Sequence, residues 1–198
     1  MPGDGIMAVY MWRIHALKTK RGFTLIEIMV VVSIIGILVS ILVLSFNEAR
    51  QNSRDNARKA SLKQLQLALE TYKAQNGRYP EKGCSYTGTQ WVGPGLFGSG
   101  NSWGYSCAEY IAGLVPNFIA ALPNDPNKES EDGKGFIYQV DASGSIYKVM
   151  VHGSVEANTI STYSDEFARC PRNCGTAYCG ASPQTEVYAI YSKGAECW

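Results

Sequence analysis

The sequence predicts an α+β protein, with one long N-terminal helix packed on a small antiparallel sheet. Three observations carry this. The run 23–46 is apolar and holds one ionisable side chain, Glu27. No glycine or proline falls between Ile37 and Asn76, so a helix begun in that run can continue. Three later segments, 136–140, 145–151 and 187–192, alternate apolar and aromatic residues with others at strand period.

The first element is the apolar run. As a helix, its two dozen residues span roughly 36 Å, enough to cross a bilayer. Before it, residues 1–22 carry Arg13, Lys18, Lys20 and Arg21 against Asp4. A basic leader of this kind stays on the cytoplasmic side and sends the rest of the chain across. An ordinary secretory signal has its apolar region before the cut and loses it. Here the apolar region comes after Gly22, so a cut there leaves the membrane helix at the new N-terminus. A carboxylate inside such a run costs about 2.5–3.5 kcal/mol on insertion scales. Glu27 alone reads equally as a charge reaching the headgroups or as a functional group. Beside Gly22, Phe23, Thr24 and the basic leader it reads as functional.

The helix then turns amphipathic. Leu62, Leu65, Leu69 and Tyr72 recur at i, i+3, i+7 and i+10, one face that should cover a head domain. Asn76-Gly77 is a stop signal, with Gly77 suited to a left-handed cap. Residues 23 to about 76 would form one helix roughly 80 Å long. Arg50, Arg54 and Arg58 form an i, i+4 stripe, with Asp55 and Lys59 also four apart. The stripe reads first as a solvated face. The alternative is pairing with acids of neighbouring subunits or with lipid headgroups.

Arg78-Tyr79-Pro80 opens irregular chain. Residues 83–106, rich in Gly, Ser, Trp and Tyr, read as a long loop between Cys84 and Cys107, with Trp91, Leu96, Phe97 and Trp103 arguing for packing. Residues 110–122 read as a short helix or turn stopped by Pro123. Segments 136–140 and 145–151 flank Asp141-Ala142-Ser143-Gly144, a good hairpin loop. Residues 152–186 are loop-rich and hold three cysteines.

All six cysteines, Cys84, Cys107, Cys170, Cys174, Cys179 and Cys197, lie beyond the membrane segment. An even number in an exported domain reads as disulfides, Cys84–Cys107 first because it closes the Gly-rich loop. The other four allow three pairings. Zinc fits poorly, because Cys170-x3-Cys174-x4-Cys179 lacks paired two-residue spacings and has no histidine near it. The leader takes four of 18 basic and one of 17 acidic residues, so the mature chain is nearly neutral and offers no global field for nucleic acid. Catalysis is not expected. The two histidines are His15, in the leader, and His152, a surface or turn residue at a strand end. Asp125, Asn127, Glu129 and Asp132 collect oxygen ligands on one loop, but without the spacing of a regular calcium loop. They read as a solvated acidic turn, with calcium the weaker alternative and no other cofactor expected.

The stretch Arg21-Gly22-Phe23-Thr24-Leu25-Ile26-Glu27 and the apolar run after it resemble the prepilin signature of type IV pilins and of the pseudopilins of type II secretion and competence systems. The resemblance covers Lys20 to about Phe46 and includes Gly36; where many members have a later proline, this chain has Leu44. In the head, Asn76-Gly77-Arg78-Tyr79-Pro80, Leu122-Pro123-Asn124-Asp125-Pro126 and, more loosely, 191–196 resemble major-type pseudopilins. The resemblance implies cleavage after Gly22 by a prepilin peptidase and N-methylation of Phe23. It implies a leader at 1–22, a filament-core helix at 23–46, an amphipathic extension at 47–77 and a disulfide-tied head at 78–198. The expected function is a structural subunit of a helical filament, a pilus or a secretion pseudopilus, assembled through Glu27. Its expected partners are further copies of itself, the processing peptidase/methyltransferase, an inner-membrane assembly platform and the membrane. The chain would sit in the inner membrane with its head outside before entering an extracytoplasmic filament. The alternative is a minor tip subunit or anchored binding protein that holds a ligand, surface or DNA through Trp91, Trp103 and Tyr105 of loop 84–107.

Overall fold

The structure is a computed structural model. It describes residues 22–95, 104–127, 134–172, 174, 175, 179 and 183–198, without the side chains of 42–44. The leader with its His15, the loop residues Leu96, Phe97 and Trp103, and the acids Glu129 and Asp132 lie outside the described residues, as does the Leu44 side chain. One helix, α1 (Leu25–Asn76), belongs to both of the units into which the chain divides, 1–43 and 44–198.

In the first unit the helix is bare. From Leu25 to Ile41 every large apolar side chain with a described position is about half exposed or more, from 49% at Val39 to 77% at Leu25. A helix that is apolar all round needs lipid or other helices around it. The described residues of this unit supply neither.

In the second unit the amphipathic face is buried. Leu62, Leu65 and Leu69 are sealed, and Tyr72 packs against them and against Phe118. The helix ends where the sequence places the stop. Gly77 takes φ +77° and donates its N–H to Lys73 O at 2.8 Å, while Asn76 Nδ2 donates to Tyr72 O.

The head is a five-stranded sheet in the order β2-β1-β3-β4-β5. Strands β3 (Gly135–Val140), β4 (Tyr147–His152) and β5 (Val187–Tyr191) pair antiparallel, Tyr138 opposite Val149 and Val149 opposite Ile190. These match the three sequence segments to within one or two residues. Phe136, Tyr138, Val149, Val151, Tyr188 and Ile190 belong to the cluster that includes the helix leucines. The opposite parity, Ile137, Met150, Val187 and Ala189, is also buried, in a second cluster with Trp91 and Tyr191. Both faces are therefore covered, which explains why the burial of these strands is nearly continuous.

Two expectations need correction and one open alternative is resolved. The 83–106 segment is not all loop. It contains β1 (Trp91–Gly93) and, at its end, β2 (Gly104–Ser106), paired parallel to each other, so the sheet is mixed rather than purely antiparallel. Three-residue strands are too short to show a period; their pairing is fixed by tertiary contact. Val92 pairs with Tyr138, and Gly93 is needed there because a Cβ would lie 2.3 Å from Phe136 O. Residues 110–122 take the turn alternative, with Gly113 at positive φ and Pro116 within the segment. The arginine stripe, finally, is solvated only in part: Arg50 is exposed, Arg54 is half-buried and Arg58 is fully buried.

Candidate functional site

The N-terminal end of α1 is the first candidate. Thr24 is the last residue before the helix, and its Oγ1 accepts the Glu27 N–H at 3.3 Å. In return Glu27 Oε2 accepts the Thr24 N–H and the Thr24 hydroxyl, each at 2.7 Å. This is a reciprocal capping box, and its Thr-x-x-Glu spacing is visible in the sequence although the acid invites a different reading there. A carboxylate three residues into a helix also meets the positive end of the helix dipole. Glu27 thus has a local partner inside a segment that otherwise offers none. The cap uses Thr24, not Phe23, so a cut after Gly22 leaves it intact. Gly22 has open space around its α-carbon, and Phe23 is 83% exposed.

The second candidate is a buried ion cluster in the head, built on the stripe that the sequence presents as solvated. Arg58 Nε and Nη2 donate to the two oxygens of Asp125 at 3.0 and 2.7 Å, and its Nη1 donates to Asp55 and to Glu156, both at 2.8 Å. Arg54 forks onto Glu156 as well. Asp55, also sealed, accepts the backbone N–H groups of Glu156, Ala157 and Asn158. Burial alone would raise the Asp55 pKa, but the three amides and Arg58 hold it below the ordinary carboxylate range. Glu156 is held down first by Arg54 and then, against some burial, by Arg58. Burial would lower Arg58; Asp125 and Glu156 together push it well above its ordinary value. Besides Asp55 on α1 itself, the acids that answer Arg54 and Arg58 come from the β4–β5 connection and from the segment after Pro123. For Arg54 and Arg58 the partners thus belong to the same chain. The 3.6-residue period places Arg58 one turn before Leu62, on the buried face, a signal that its charge masks.

Asp125 is therefore occupied. Arg58 takes both its oxygens, and its Oδ1 also accepts the N–H of Asn127. Asn127 is exposed beside it. Among the described residues no group of acids, histidines and cysteines is arranged to hold a metal. His152 closes β4, half-buried.

All six cysteines are bonded: Cys84–Cys107, Cys170–Cys179 and Cys174–Cys197, with Cα atoms 5.6–6.0 Å apart. The first closes the segment that carries β1 and β2. The last ties the 170–179 region to the C-terminal segment. Of the aromatic residues considered for binding, Trp91 packs half-buried in the outer cluster, so it is structural rather than presented. Tyr105 is 40% exposed and stacks on Tyr86 with centroids 4.5 Å apart.

Comparison with known proteins places this geometry. Residues 17–43 match the prokaryotic N-terminal methylation motif. Over 162 residues the chain is 29% identical to the type IV major pilin protein PilA of Myxococcus xanthus, covering 78% of this chain and 70% of that protein. It is 39% identical over 61 residues to the type II secretion system core protein G of Pectobacterium carotovorum, covering 31% of this chain and 39% of that protein. The corresponding protein of Klebsiella pneumoniae is 39% identical over 64 residues, 32% of this chain and 46% of its own length. The match thus spans less than half the length of these secretion proteins. No solved structure gives a significant match.

Proposed function

We propose that this chain, a relative of type IV pilins and type II secretion pseudopilins, is a structural subunit of a helical filament. It polymerises through the bare apolar half of α1 and is processed after Gly22. The observation that carries this is a helix apolar and exposed on every side within its own unit, whose one charge is placed at its N-terminal end. Cleavage would create a free amine on Phe23, one turn from Glu27. In a lone subunit the carboxylate rests on Thr24. In a filament, axially staggered helices bring it to the amine of a neighbour, relieving both charges. A mis-staggered subunit would leave a carboxylate in an apolar surround, so the pair also sets the stagger. The anchor in the inner membrane, the head outside it and the processing peptidase/methyltransferase belong to the same proposal.

The test separates cap from charge. Glu27→Gln retains a side chain able to cap Thr24 but removes the charge; Glu27→Val removes both. As the sole copy in a host with the cognate peptidase, both variants should insert and be cleaved, and both should fail to enter filaments. Assembly of Glu27→Gln at the parent level would reduce Glu27 to a helix cap and overturn the charge-pairing mechanism.

A further inference from the structure

A cleft of about 440 Å³ opens on the head between the segment after Glu81, the β3–β4 hairpin and the C-terminal segment. That size lies within the range of small-molecule sites. Its lining is partly aromatic and partly polar. Tyr86 lines one side and is backed by its stack with Tyr105; Trp198 also lines it, half-exposed. Lys82 Nζ donates to Gly88 O and lies 5.2 Å from the Tyr86 ring centre. Gln139 Nε2 donates to Thr89 O at 2.9 Å, tying the loop to β3. Its Oε1 is sealed from solvent and has no hydrogen-bond partner among the described residues. Glu81 and Asp141 complete the polar lining, although Asp141 is engaged in organising its own hairpin turn.

Trp198 is held in an unusual way. Lys148, fully buried in β4, donates from Nζ to Glu196 O at 2.9 Å and to Trp198 O at 3.0 Å. The Cys174–Cys197 bond fixes the preceding residue. A buried charge is expensive and is not the stablest way to fill a core position. Here it orders the backbone of a residue that lines the cleft.

Aromatic faces beside an ammonium and two carboxylates suit a ligand with an apolar C–H face and a hydroxylated edge. The charges, Lys82 and the Arg78 paired with Glu81 against the Glu81 and Asp141 carboxylates, give no net positive field to draw a phosphate or a polyanion. We propose that this cleft binds a neutral pyranose sugar, its ring face against Tyr86 or Trp198 and its hydroxyls toward Lys82. The site lies wholly within the head and does not depend on filament assembly, so its failure and the failure of the filament reading are separate results.

The experiment is saturation-transfer NMR on the full chain in a sugar-free detergent. The probes are glucose, galactose, mannose and N-acetylglucosamine, with heparin as the polyanion control. A ligand of a dozen non-hydrogen atoms supports affinity of millimolar order, which sets the concentrations used. Saturable transfer to the ring C–H protons of at least one sugar is expected. Trp198→Ala should weaken it by about tenfold and Lys82→Met by several-fold, with the far-ultraviolet circular dichroism unchanged. If Trp198→Ala does not fold, Lys82→Met decides. Absence of saturable transfer from every sugar, binding indifferent to both substitutions, or binding confined to heparin would overturn the proposal.

Discussion

Replacing Arg58 by methionine tests how the head is held to its helix. The substitution keeps most of the buried volume and removes one guanidinium that makes four hydrogen bonds to three carboxylates. The cost depends on what each carboxylate keeps. Asp55 retains three backbone N–H donors, and Glu156 retains Arg54. Asp125 loses both bonds to its only guanidinium and keeps a backbone N–H from Asn127. Removing one partner of a buried ion pair costs about 3–5 kcal/mol, and the surviving partners of Asp55 and Glu156 favour the lower end. A loss of about 3 kcal/mol corresponds to roughly 10 °C in Tm for a domain of this size. The assay is thermal unfolding of the full chain in detergent at pH 7, followed by circular dichroism.

Two controls give the number its meaning. Asp125→Asn in the Arg58→Met background removes the stranded charge and should recover a substantial part of the loss. Acid should also narrow the gap. The folded-state pKa values of Asp55 and Glu156 are depressed, so the parent holds that stabilisation above the unfolded carboxylate pKa and loses it as pH falls through the folded values. The variant has less of it to lose. A Tm change under about 3 °C for Arg58→Met, or no recovery from Asp125→Asn, would refute the account of Arg58 as the charge that balances this cluster.

Processing should leave Phe23 as the mature N-terminus, carrying a methyl group; intact mass and N-terminal sequencing would show a different cut if this is wrong. Opening Cys84–Cys107 by paired serine substitution should cost about 3 kcal/mol, because the bond closes a loop of 23 residues, read as a lower urea midpoint. Lys148 is pushed down to about 7 by burial and by nearby Arg169, so its penalty is full below that pH and relieved as pH rises toward the unfolded lysine value. Stability should therefore climb between about pH 7 and 9, and Lys148→Met should flatten that climb; an unchanged slope would count against it.

Much of this protein was legible in local pattern. A long apolar run with one acid, a heptad-like leucine face and an Asn-Gly stop each state a backbone conformation within a few residues, because helix formation and capping are local. The helix, its end at Asn76 and strands β3, β4 and β5 rest on such signals. So does the Thr24–Glu27 cap, a three-residue spacing.

What the sequence could not decide depends on groups distant along the chain. Arg58 reads as solvated until Asp125 and Glu156, 67 and 98 residues away, arrive to neutralise it; no local rule places them there. β1 and β2 have no period to read, and their parallel pairing exists because β3 and a disulfide hold that segment flat against the sheet. Four late cysteines allow three pairings of similar loop cost, and the choice of Cys170–Cys179 and Cys174–Cys197 is made by where the C-terminal segment packs. The sequence by itself determined the helix and the Thr24–Glu27 cap at its N-terminus, because those rest on neighbours within one turn. Only the tertiary structure decided which charges are buried and which cysteines meet, because an ion pair or a disulfide is set by distance in space.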